Sequence, residues 1–460
     1  MDPKKIELFE RSSIPSAVAT LCIPAVLSTL VMILYNIADT YFVGMLADPI
    51  ESAAVSLAAP VLLAFNAITN LFGVGGSSMM SRSLGRHDYE TVKTTASFCF
   101  WLSMACALLI SLAYVFLRSP LLRLLGADAS TAAATARYLR WTVAFGAVPA
   151  ILNVVLSNLV RSEGEAKQAG IGVISGCLLN IVLDPFFVLP RFLGMGAAGA
   201  GLATMISNAF AMLYLLAFIF RKRGDTNVCL DPRRFCFRKD ICKEVFGVGI
   251  PASIQNLLNV TGSLILNNLT AGFGAAAVSA MGISHKVSLM SLYLTMGMGQ
   301  GIMPLVSYNY AGGSRQRMKD AILFVMKIGG VITVTITALT WAFAPGLIRL
   351  FMPDEEVVAY GTRLLRAMCL EAPFLALDFT TVAVFQAIGK GSWSLIFAVC
   401  RKIVLEIPAI ILFNRLLPLY GMGYSQPFAE LILAAAAALM LRKIFRMRPP
   451  EENTAPEAVE

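Results

Sequence analysis

The chain has 460 residues, 57% of them hydrophobic and 14% charged, with a mean hydropathy of +0.72. A water-soluble domain carries about a quarter charged residues, and here the apolar residues fall in blocks of about 20, the length that crosses a bilayer as a helix; a soluble enzyme or scaffold is excluded. The net charge of +9 does not mark a nucleic-acid binder, because the basic residues gather in short loops on one side of those blocks.

Turn signals divide the blocks into twelve predicted spans, near 15–44, 53–81, 91–117, 132–158, 166–189, 197–220, 244–271, 276–306, 320–344, 356–386, 393–416 and 423–443. The first run is too long for a cleaved signal peptide, and no small-residue cleavage site follows it. The N-terminus and the even-numbered links carry 24 lysines and arginines, against nine on the odd-numbered side. That bias predicts both termini in the cytoplasm, as an even span count requires. The nine cysteines lie mostly within spans, as small apolar residues. Cys229, Cys236 and Cys242, beside the basic loop at 221–243, have neither a zinc spacing nor a histidine nearby.

Polar residues inside the spans carry the functional signal, since an ionisable group in a span faces a cavity or a partner. Span one holds Asp39, with Tyr35 and Asn36 on its helical face and Pro24 upstream, where a missing donor predicts a bend. Span two contains GVGGSSMM (73–80), small residues that let helices approach closely. Span five places Asn180 and Asp184 one turn apart, ahead of Pro185, and Thr204 in span six adds an oxygen. Two carboxylates, an amide and a hydroxyl are hard oxygen ligands for Na⁺. They suit a proton equally, because neighbouring carboxylates in a dry setting disfavour double ionisation. The competing reading leaves both acids at span ends, in interfacial water.

Span seven has asparagines (259–274) where span one has its acid. Span eight carries His285, Lys286 and a run of methionines including Met290, which fill helix contacts or line an adaptable pocket. The later spans hold Glu371, Asp378, Arg401, Lys402, Glu406 and Glu430, and Lys286 is expected to pair with Glu371 or Asp378 as a structural ion pair. His285 reads as a buried, hydrogen-bonded histidine, with a proton relay as the second reading. P-loop, HExxH and GxSxG motifs are missing, so no enzyme is expected.

The two halves repeat at an offset of about 225 residues. Ile23-Pro24-Ala25 recurs as Ile250-Pro251-Ala252, LLRLLGAD (121–128) as LIRLFMPD (347–354), and IVLDP (181–185) as IVLEIP (403–408). The expected fold is all-α and polytopic: twelve helices in two six-helix lobes related by a pseudo-twofold along the membrane normal. The expected parts are an N-lobe at 1–220, a basic cytoplasmic linker at 221–243, a C-lobe at 244–446 and a disordered tail at 447–460. Repeats of this kind flank a site near the midplane in transporters.

YNIADTYFVG (35–44), GVGGSSMMSRSLG (73–85), LVRSEG (159–164), LLNIVLDPFFV (178–188), GMGAAGAGLATMIS (194–207) and CRKIVLEIP (400–408) resemble the multidrug and toxic compound extrusion (MATE) family, in its bacterial DinF-like branch. The resemblance covers nearly the whole chain. It implies an exporter of lipophilic, often cationic, drugs that exchanges them for H⁺ or Na⁺ by alternating access in the bacterial inner membrane. It implies a cation or proton site of Asp39, Asn180, Asp184 and Thr204, a functional bend at Pro24, no organic cofactor, and a functional monomer whose partners are the bilayer and small substrates. Candidate cavity residues are Tyr35, Asn36, Asn153, Asn158, Gln255 and Met290. The NorM-like branch has an acid in span seven where this chain has Gln255, Asn256 and Asn259, so no C-lobe cation site is expected. The alternative function is a flippase for lipid-linked precursors, which a cavity lined with arginines would favour.

Overall fold

Turn chemistry sets several helix starts. Asp48, Asp88 and Asp354 each accept from a first-turn N–H, of Ile50 at 2.8 Å, Thr91 at 3.0 Å and Val357 at 3.0 Å. Each bond satisfies a donor that a helix leaves free at its start. Pro49 follows the first of these caps, where its missing N–H is no loss.

The computed structural model describes residues 3–46 and 48–446. They form twelve long helices: α1 (Ile14–Gly44), α2 (Pro49–Gly85), α3 (Tyr89–Phe116), α4 (132–162), α5 (Ala166–Val188), α6 (Ala197–Arg221), α7 (Lys239–Ala271), α8 (Ala275–Ala311), α9 (Arg315–Phe351), α10 (Glu355–Ala387), α11 (391–416) and α12 (Met422–Arg446). No strand occurs among the described residues. By length and composition alone eight are apolar enough to cross a membrane, and nine with α4 counted as one span; α4 bends by 49° between Ala132–Phe145 and Ala147–Ser162. The other three carry polar groups inside them, asparagines in α7, Arg401, Lys402 and Glu406 in α11, and Glu430 in α12. The predicted spans match these helices, with a short extra helix at Arg118–Leu124. The predicted tail at 447–460 lies outside the described residues.

Residues 222–238 join the halves and pack on α3. Trp101 Nε1 donates to the Leu230 carbonyl at 3.0 Å, and Ser97 Oγ to that of Asp231 at 2.8 Å. The nine cysteines are free.

The two lobes meet on the half of the molecule that carries the start of α1 and the end of α12. There Arg82 Nη1 reaches Glu244 Oε2 at 2.5 Å, Arg161 Nη1 donates to Gln300 Oε1 at 2.8 Å, and Ser253 Oγ to the Ala67 carbonyl at 2.6 Å. The N-terminal segment bridges the seam: Phe9 stacks on Tyr308 with centroids 4.7 Å apart, and its carbonyl accepts from Arg317 Nε at 2.6 Å. The glycines of GVGGSSMM serve close approach. A Cβ on Gly75 would stand 2.2 Å from the Val245 carbonyl oxygen, and one on Gly249 2.1 Å from that of Leu71. On α1 the seam runs up to Thr29, against Gly297 of α8; past that point no hydrogen bond between the lobes is described. The apolar core follows the same division. One cluster runs across both lobes through Phe72, Val245, Ile302 and Phe385, and a separate one, with Leu266, Met281, Ile348 and Leu365, fills the far half of the second lobe.

Candidate functional site

Helices α1, α5 and α6 pack together in the first lobe and bring the sequence-predicted oxygens into one place. Helix α1 stays continuous through Pro24. It lies close against α5 there: a Cβ on Gly170 would stand 3.1 Å from Pro24 Cβ and 3.3 Å from Ser28 Oγ, and that hydroxyl donates to the Pro24 carbonyl at 2.6 Å. Downstream, α1 carries Tyr35 and Asp39 toward α5 and α6.

Asp184 is fully buried and Asn180 nearly so. The Asn180 amide sits between Asp184 and Thr204. Turned one way, its Nδ2 donates to Thr204 Oγ1 at 3.4 Å. Turned the other, it donates to Asp184 Oδ2 at 2.9 Å while its carbonyl oxygen accepts from the Thr204 N–H at 3.1 Å. The second orientation satisfies more groups. Tyr35 reaches the Thr204 side chain, and Asp39 and Asp184 lie within each other's electrostatic field. One oxygen of each acid, Oδ1 of Asp39 and Oδ1 of Asp184, is buried without a hydrogen-bond partner. A buried carboxylate oxygen without a donor is costly, so this is where a small cation or a proton adds most.

No group of three or more His, Cys, Asp and Glu is arranged to hold a metal among the described residues. A Na⁺ here would depend on the two carboxylates with the oxygens of Asn180 and Thr204, a hard-ligand set without nitrogen or sulfur. Tyr138, from α4, was missed in the sequence. It is buried beside Asp39, Tyr35 and Asp184, and its signal was a phenol in a span, next to an arginine and within a tripeptide echoed in the second half.

The cavity candidates separate. Tyr35 belongs to the carboxylate site, and Asn36 is exposed, its amide donating to the Met32 carbonyl of its own helix at 2.8 Å. Asn153 Nδ2 donates to Asn208 Oδ1 at 3.2 Å, and Asn158 Nδ2 to the Val154 carbonyl at 3.0 Å. Gln255, in the second lobe, accepts from Ser394 Oγ at 3.4 Å. Met290 is 51% exposed. A cleft of about 440 Å³ opens at the far rim of the first lobe beside Asp48, Glu51, Arg137 and Met195, and neither Asp39 nor Asp184 lines it.

The second lobe corrects one expectation. Lys286 is exposed and forms no ion pair with Glu371 or Asp378. The pairs there are Arg401 with Glu430, and Lys402 with Glu406. Arg401 also lies over the Phe379 ring, 4.8 Å from its centroid. Lys286 stands on an exposed face of its helix, away from both acids, whereas Arg401 and Lys402 are enclosed and must be paired. His285 is part-buried; its Nε2 lies 3.4 Å from Ser263 Oγ and its Nδ1 has no partner.

The MatE family model matches residues 24–186 and 251–412, one stretch in each lobe. The chain is 31% identical over 442 residues to the multidrug export protein MepA of Staphylococcus aureus (strain MRSA252), covering 96% of both chains. Among solved structures it resembles an outward-facing multidrug resistance MATE family transporter of the MOP superfamily, with a TM-score of 0.91 at 28% identity over 97% of this chain and 98% of that one. It also resembles a MATE structure in the straight conformation, with a TM-score of 0.90 at 27% identity over 97% and 99% of the two chains.

Proposed function

The chain belongs to the MatE family of multidrug export transporters, and from that premise we propose that it is a cation-coupled antiporter. It exports lipophilic, often cationic, compounds across the bacterial inner membrane by alternating access, with H⁺ or Na⁺ as the counter-ion. Both termini lie in the cytoplasm, consistent with the basic residues on the terminal face, which makes the sealed half the cytoplasmic one and the separated half the outer one.

One observation carries the coupling: Asp39 and Asp184 approach from different helices, each with a buried oxygen that lacks a donor. An ion arriving from outside satisfies those oxygens and draws α1 onto α5. Helix α1 also meets α8 of the other lobe, at Gly297 and Gly301, so a change in how α1 packs on α5 reaches the seam directly. Export follows when ion-loaded α1 disfavours substrate in the outer cavity and the ion then leaves inward. Each net inward charge supplies about 2.3 kcal/mol across ~100 mV, which sustains roughly a fiftyfold gradient of a neutral substrate from the potential alone; one-for-one exchange against a monovalent cation moves no net charge and draws on the ion's concentration gradient.

The test is efflux of a fluorescent organic cation from proteoliposomes under an imposed Na⁺ gradient or an imposed pH gradient, each applied alone. One of the two drives wild-type efflux. Efflux that neither gradient accelerates over an ion-equilibrated control contradicts antiport.

A further inference from the structure

The internal repeat pairs Asn180-Ile-Val-Leu-Asp184 of α5 with Lys402-Ile-Val-Leu-Glu406 of α11. The acids correspond, but Pro185 follows Asp184 at once, whereas Ile407 stands between Glu406 and Pro408. Helix α11 absorbs the extra residue as a π-helical stretch, Cys400–Glu406, while α5 is α-helical throughout. A one-residue insertion in a helix is accommodated this way, and it leaves Glu406 facing the lobe interior, 3% exposed, as Asp184 faces the interior of its own lobe.

The residue one turn earlier differs. Where the first lobe has the neutral Asn180 amide, the second has the Lys402 ammonium, 2.8 Å from Glu406 Oε1 and 2.6 Å from Oε2. Helix α7 is shaped around that pair. In the register that pairs Ile23 with Ile250, Tyr35 pairs with Gly262 and Asp39 with Leu266. A Cβ on Gly262 would stand 2.9 Å from Glu406 Oε1 and 3.2 Å from Lys402 Nζ, and Leu266 is a buried apolar residue. The second lobe therefore has the acid of the first-lobe site, lacks its second acid, and holds a lysine nitrogen where a mobile ion would bind.

We propose that the second lobe contains a cation site of the same plan as Asp39/Asp184, permanently filled by the tethered ammonium of Lys402, so that only the first lobe exchanges an ion. The proposal rests on the reading of the first-lobe site given above. Facing the pair are Glu371 from α10, Arg401 from α11 and His285 from α8, and Arg401 and Glu371 link it in turn to Glu430 of α12 and Asp378 of α10. Arg401 is already engaged with Glu430. Removing the lysine charge leaves four buried carboxyl groups facing one guanidinium, a deficit that a mobile cation or proton relieves.

The experiment uses the full-length protein in detergent and reads Tm with NaCl against choline chloride at pH 8, and at pH 8 against pH 6. Lys402→Asn is expected to gain a stabilisation by Na⁺ or by acid of about 2 °C beyond the wild type. The gain persists in Lys402→Asn/Asp39→Asn and disappears in Lys402→Asn/Glu406→Gln. Persistence without Asp39 separates this site from the first-lobe one, whose own failure appears as a wild type indifferent to both ions. A folded Lys402→Asn that answers to neither Na⁺ nor acid more than the wild type overturns the proposal, and so does one that fails to fold and that neither condition rescues.

Discussion

Asp184 has no exposed surface, and one of its oxygens has no donor. Burying an amide costs less than burying a carboxylate, so Asp184→Asn is expected to keep or raise Tm while ion-driven efflux is lost. A lower Tm together with retained coupling would assign the residue a structural role instead. Glu163, outside the spans, shows the opposite economy. It is fully buried and satisfied by Lys5 Nζ at 3.3 Å, by the Asn227 N–H at 2.9 Å and by the Thr226 hydroxyl. Burial nonetheless pushes its pKa above the ordinary carboxylate value, with Lys5 the largest opposing influence. Lys5→Ala removes one partner of a buried pair and should destabilise by about 3 kcal/mol. A carboxyl whose folded pKa is raised takes up a proton on folding, so its burial becomes less unfavourable as pH falls. The Lys5→Ala deficit should therefore shrink between pH 7.5 and pH 5.5, as denaturation in detergent at the two pH values would report; a deficit that grows on acidification contradicts this account of Glu163.

At the scale of helices, the seam depends on backbones that touch. A methyl group on Gly75 meets the Val245 carbonyl at 2.2 Å, and backbone cannot swing aside as a side chain can. Gly75→Ala should therefore part the lobes on the terminal face. With Cys22, buried against Met298, as the sole cysteine, its labelling by a water-soluble maleimide should rise severalfold, and unchanged labelling would place the seam elsewhere. Asn180→Lys tests α5 directly: it should seal the first-lobe site as Lys402 seals the second, giving a folded protein whose Tm ignores the coupling ion. Much at this scale was legible in the sequence. The small residues at 73–80 and the one-turn spacing of Asn180 and Asp184 both follow from local chemistry. The Lys286 pairing was misassigned because spacing along a chain does not say which face of a long helix points inward. The bend in α4 and the buried Tyr138 escaped notice because both depend on packing between helices.

For the whole molecule, the span count, the two lobes and the sidedness of charge could be read from composition and repetition alone. Which half is closed could not, since two conformations of one sequence differ by only a few kcal/mol. That balance is held in part by Arg82 with Glu244, a pair joining α2 to α7. Weakening it by Glu244→Gln is expected to shift the lobes toward opening on the terminal face, by about 1–3 kcal/mol, visible as a second population in spin-label distances across that face. In the proposed mechanism Asp39 and Asp184 turn an ion gradient into export. The most direct measurement is organic-cation accumulation in vesicles under the driving gradient, compared with substrate binding by the same protein, for wild type and Asp39→Asn. Asp39→Asn is expected to bind substrate within a fewfold of wild type yet accumulate none above equilibrium; gradient-driven accumulation by Asp39→Asn at the wild-type level would contradict a coupling role for the two acids.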